Sequence, residues 1–158
     1  SEQRIIEPDY GMWSGRPLEE LALEKLWFDV QNNPALVTFP NGERFIDVWD
    51  RVTDFFTHLS ELANAGGNYI VVSHGDIIKF ILAHVLKIDF VNFQSLVVEP
   101  ASVSIAHFAD EKTRLVQFNR SDQKIGNLVT AAAPATLGGE SASQKQPLAT
   151  SGSTEKSH

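Results

Sequence analysis

Residues 69–72 read Tyr-Ile-Val-Val, and the next three read Ser-His-Gly. An apolar run of this length without polar alternation predicts a strand covered on both faces. Directly after it, Ile77, Ile78, Ile81, Leu82, Val85 and Leu86 recur at helical spacing, so His74 sits where a buried strand hands over to a helix N-terminus. That junction is the building unit of α/β folds, and in such folds ligands collect at the carboxyl ends of the strands. Ser73, His74, Gly75 and Asp76 therefore mark where a binding site is expected. Free N–H groups at a helix start favour an anion, Gly75 lets backbone come close to it, and the His74 imidazole can donate to one of its oxygens. Taken alone, the pattern fits a structural, turn-forming histidine equally well, because strand-to-helix turns of this kind abound.

The rest of the chain supports the α/β reading. Pro17 opens a helical pattern with Leu18, Leu21, Ala22 and Leu26 on one side, ending before Asn32, Asn33 and Pro34. A longer stripe, Phe45, Val48, Trp49, Val52, Phe56, Leu59, Leu62 and Ala63, predicts a long helix stopped by Gly66 and Gly67. Residues 103–108 and 115–118 read as two strands of a hairpin joined by a polar turn. From Ala131 onward the composition shifts to Ala, Ser, Thr, Gly, Gln and Lys. A segment with so few large apolar residues buries too little surface to offset its ordering entropy. The expected organisation is thus one domain over residues 1–130 and a disordered, low-complexity tail over 131–158.

Charge and composition narrow the function. A net charge of -7 argues against general affinity for nucleic acid or an anionic membrane surface, so any phosphate site must be built locally. With no cysteine, thiol nucleophiles and zinc-finger spacings are excluded. His58, His84 and His107 have no metal-ligand spacing and are read as structural, so no metal or other cofactor is expected. No apolar run reaches the ~18 residues of a membrane helix, and a cytoplasmic location is the expectation.

Near the start stands Ile6-Glu7-Pro8-Asp9-Tyr10-Gly11-Met12-Trp13-Ser14-Gly15. This string resembles the histidine-phosphatase motif of a Glu followed by Tyr-Gly, an aromatic or Leu, and a further Gly. Ser73-His74-Gly75 resembles the later motif of the same superfamily, and Phe39-Pro40-Asn41-Gly42-Glu43, followed by Arg51, resembles the stretch between them. Order and spacing agree, and the chain is identified as similar to the phosphoglycerate-mutase-like branch. The resemblance implies a three-layer α/β/α sandwich with a mostly parallel sheet. It implies that Glu7 donates a proton to the leaving oxygen and that His74 holds phosphoryl oxygens, with no metal required. Tyr10, Arg16, Gly75 and Asp76 are the candidate substrate contacts; for Arg16 a solvated side chain, and for Trp13 core packing, are equal or better readings. Partial burial of Glu7 beside Tyr10 and Trp13 would suit an acid.

Two departures qualify this. The superfamily's nucleophilic His lies in an Arg-His-Gly motif, and no Arg-His-Gly occurs in these 158 residues. The expectation is a domain that is N-terminally incomplete, with a first strand missing from between 69–72 and 103–108, inactive as it stands and prone to self-association through unpaired sheet edges. Arg44 also stands where the resemblance leads one to expect Ser. Mutases of this type carry a Lys where Leu18 stands and an Arg-Arg pair found nowhere here. A phosphomonoester hydrolase acting on a small phosphorylated metabolite is therefore favoured over a phosphomutase or a non-catalytic phospholigand-binding module.

Overall fold

The structure is a computed structural model in which residues 1–109 and 112–121 are described. The expected tail, 131–158, and the hairpin tip lie outside these residues. The described chain runs through four helices, α1 (Leu18–Leu21), α2 (Lys25–Asn32), α3 (Phe45–Asn64) and α4 (Gly75–Leu86), into an antiparallel hairpin of β1 (Val103–Ala109) and β2 (Lys112–Arg120). Short 3₁₀ turns at Gln3–Ile5, Gly11–Trp13, Pro34–Leu36 and Phe90–Ser95 link them.

The core is largely aromatic. On α3, Phe45, Val48, Val52 and Phe55 fall three or four apart and are buried, the spacing that puts side chains on one helix face. On α4, Ile77, Phe80 and Ala83 do the same and are fully covered. Phe45 meets Phe80 and Phe93 edge to face with ring centres 5.4 Å apart, and Trp49 stacks on Phe90 at 5.0 Å. Such pairs add about 0.5–1.5 kcal/mol each beyond the area they bury. The apolar stripe of α3 is used unevenly: its first half packs inward, while Leu62 near the end is exposed. Gly66 and Gly67, both at positive φ, then carry the chain away after Ala65.

Three expectations are changed. The single helix read from Pro17 to just before Asn32 is broken: residues 22–24 interrupt it, and Glu24 has extended backbone angles. The cause is tertiary, because the Glu24 carboxylate accepts from Trp13 Nε1 at 3.0 Å and Arg16 Nη1 at 2.5 Å. The hairpin is longer than its apolar letters, with an irregular register around Ser104 and Ile105 where the Ser104 hydroxyl accepts from the Asn119 N–H at 3.0 Å. Most importantly, 69–72 is not a strand buried on both faces. It pairs with no strand among the described residues, and Ile70 and Val72 are 77% and 85% exposed. An apolar sequence favours extended backbone, but a strand exists only through the partner that satisfies its N–H and C=O groups and the layers that cover its faces. The one sheet among the described residues has two strands.

Candidate functional site

The segment carrying Glu7 lies against the middle of α3, at Arg51, Asp54 and Phe55, and is fixed at several points. Ser73 Oγ donates to the Ile5 carbonyl at 2.6 Å, which joins it to the turn before α4. Arg51, on α3 and mostly buried, donates to the Arg4 carbonyl at 2.8 Å and the Glu7 carbonyl at 3.5 Å, and pairs with Glu43 at 3.2 Å. Glu43 in turn accepts from the Asp9 N–H at 2.8 Å. The two loops meet backbone to backbone, with Met12 N–H donating to the Pro40 carbonyl and Glu43 N–H to the Asp9 carbonyl, both at 2.8 Å. Gly11, at positive φ, and Gly42 make this approach feasible. A Cβ on Gly11 would overlap the Pro40 carbonyl oxygen, and one on Gly42 the Asp9 carbonyl oxygen. Arg44, at the start of α3, makes no side-chain capping bond and pairs outward with Asp47 at 3.5 Å.

This arrangement brings together residues 67 positions apart. Glu7 Oε2 lies 3.8 Å from His74 Nδ1, with both side chains about half exposed, so the pair opens to solvent. Of the two rings expected beside Glu7, Trp13 turns away into the core and toward Glu24. His74 is the residue before α4, and its side chain makes no capping hydrogen bond to the helix's first turn. A Cβ on Gly75 would meet open space. An uncapped helix start beside an imidazole and a carboxyl can hold an anion and protonate one of its oxygens.

Tyr10 joins the site through Asp76. Its hydroxyl donates to Asp76 Oδ2 at 3.1 Å, and its ring packs edge-on against Phe39 at 5.1 Å. Burial above all, then the charge of Asp76 and its hydrogen bond, then the charge of Glu7, push the phenol pKa upward, so Tyr10 stays protonated and serves as a donor. Arg16 is drawn to Glu24 and to Glu20 at 3.7 Å rather than to Glu7. Its hydrogen bond, with that from Trp13, holds the Glu24 carboxyl below its usual range. Two members escaped the sequence reading. Lys79 pairs with Asp76 Oδ1 at 3.2 Å and donates to Gln94 Oε1 at 3.0 Å. The Asp-to-Lys spacing of three within a helix was the available signal; nothing local pointed to Gln94. Among the described residues no cluster of three or more His, Asp or Glu side chains could hold a metal, and no helix is long and apolar enough to cross a membrane.

Comparisons with known proteins agree on ancestry. The histidine phosphatase superfamily (branch 1) matches residues 1–121. Phosphoserine phosphatase 1 of Hydrogenobacter thermophilus is 33% identical over 123 residues, covering 75% of this chain and 56% of that protein. The α-ribazole phosphatase of Shigella flexneri superposes with a TM-score of 0.63 at 21% identity, and YhfR of Bacillus stearothermophilus with 0.64 at 20%. Each covers 78% of this chain and 61% of the other. The chain thus spans somewhat over half the length of the relatives it matches, and it shares their α/β fold.

Proposed function

The chain belongs to the histidine phosphatase superfamily (branch 1), and from that premise we propose that it supplies the acid-donor half of a phosphomonoesterase for a small phosphorylated metabolite. The observation that carries this reading is the Glu7–His74 pair at 3.8 Å beside the uncapped start of α4. In the proposed reaction an imidazole nucleophile attacks phosphorus as the ester P–O bond breaks, Glu7 gives its proton to the departing alcohol, and water, losing a proton to Glu7, then takes the phosphoryl group from the imidazole as orthophosphate. His74 and the first N–H groups of α4 hold the phosphoryl oxygens as charge develops on them. Tyr10 and Asp76 shape the rim, Gly75 leaves space for the phosphoryl group, and Arg16 is a remote candidate that must leave Glu24 to take part. The proposed setting is the cytoplasm.

Hydrolysis is preferred to phosphotransfer between positions of one substrate. Leu18 is exposed and apolar where a mutase of this type needs a cation, and a relative 33% identical over 123 residues is a phosphoserine phosphatase. For the complete fold we propose the three-layer α/β/α sandwich, in which 69–72 becomes a paired strand and a further strand lies between it and β1. The absence of Arg-His-Gly from these 158 residues favours a second reading, a phospholigand-binding module without turnover.

The test has two arms. The 158-residue chain should release no orthophosphate from O-phosphoserine or p-nitrophenyl phosphate above background. Joined to an N-terminal segment bearing an Arg-His-Gly strand, it should gain turnover. In that active form Glu7→Gln should lower kcat by roughly 10²–10⁴-fold with little change in KM, since protonation of the leaving group belongs to the transition state. Unchanged kcat would remove Glu7 from the mechanism.

A further inference from the structure

The Asp76 carboxylate stands in the first turn of α4, one residue after Gly75. Acidic groups there suit the helix dipole, yet the same position sets a negative charge beside the place assigned to a dianion. Tyr10 donates to one oxygen and Lys79 to the other, and both Asp76 and Lys79 are about four-fifths buried. The lysine is itself immobilised, with Gln94 Oε1 at 3.0 Å and the Phe93 ring centre at 5.7 Å. Other cations that could be recruited are engaged elsewhere: Arg16 with Glu24 and Glu20, Arg51 with Glu43, and Arg4 with Glu2.

We propose that Lys79 is a positioning residue of the anion site: by neutralising Asp76 from beneath, it makes the start of α4 hospitable to a phosphate group that Asp76 and Glu7 would otherwise repel. The inference rests on reading that site as a phosphate site. Lys79 acts through Asp76 and not by touching the ligand, because Gln94 and Phe93 hold its ammonium against the carboxylate. Asp76 in turn keeps the Tyr10 hydroxyl at the rim, so the network trades one local charge for a fixed donor.

The experiment is titration of the 158-residue chain with inorganic phosphate, followed by calorimetry or phosphorus NMR at low ionic strength. Lys79→Met should raise the phosphate Kd on the order of tenfold, as expected for uncovering one charge near the ligand. Adding Asp76→Asn to that variant should bring Kd back to within a few-fold of wild type, Lys79→Arg should stay close to wild type, and the Lys79→Met defect should shrink at high salt. An unchanged Kd in Lys79→Met overturns the proposal. So does a double variant as weak as the single one, which is what a purely structural lysine would give. Wild-type binding that is absent, or that survives His74→Ala, would instead sink the phosphate-site reading itself and the proposal with it.

Discussion

Thr53 Oγ1 already donates to the Trp49 carbonyl at 2.8 Å, so in its 3.1 Å contact with His84 the Nε2–H of the imidazole is the donor. The ring lies between Trp49 and Phe56, with centres 4.2 and 5.1 Å away, and burial lowers its pKa from the usual 6.5. The folded state therefore binds fewer protons at this residue than the unfolded chain. Stability from His84 is fully present above pH ~6.5 and is lost as pH falls through the lowered folded value. Urea midpoints measured from pH 8 to 5 should fall toward the acid end, and His84→Gln should flatten that slope. An identical slope in the variant would rule His84 out as its source. At this scale the sequence was most legible where a motif named a residue. The motifs singled out Glu7 and His74, which the fold sets 3.8 Å apart, whereas the partners Lys79 and Gln94 and the Arg16–Glu24 contact depend on distances that only folding creates.

Arg51 is where one element holds another. Its guanidinium joins α3 to the backbone of Arg4 and Glu7 and to the Glu43 carboxylate. Arg51→Met would leave two carbonyls and a carboxylate short of a partner, for a loss of about 1–3 kcal/mol. The expected signature in hydrogen exchange is faster exchange of the Asp9, Met12 and Glu43 amides, with the inner turns of α4 unaffected; uniform acceleration across the molecule would refute a local clasp. The helices themselves were readable because burial of one face writes a period into the sequence, as Phe45, Val48 and Val52 on α3 and Ile77 and Phe80 on α4 show. The break at residues 22–24 was not, since it answers to an indole and a guanidinium eight or more residues away from Glu24.

Across the whole molecule, coverage is uneven. α3 and α4 share a dense aromatic core with the turn at Phe90–Ser95, while Tyr69, Ile70 and Val72 stand exposed on backbone that pairs with no strand among the described residues. Such a stretch recruits other chains. Size-exclusion chromatography should show concentration-dependent association, and Ile70→Lys with Val72→Lys should return a monomer; a wild-type monomer with strongly protected amides at 69–72 would contradict this. The α/β class was legible because the apolar run and the helix behind it are adjacent in sequence. Its pairing was not, because a strand's neighbour is a property of the assembled sheet. The crossing of the two loops at Gly11 and Gly42 reaches further than geometry. With carbonyl oxygens occupying the space of both absent side chains, a side chain at either position would have to push the opposite loop away. A mutational library over either loop should find both codons nearly invariant, while diversity at neighbouring exposed Met12 is tolerated.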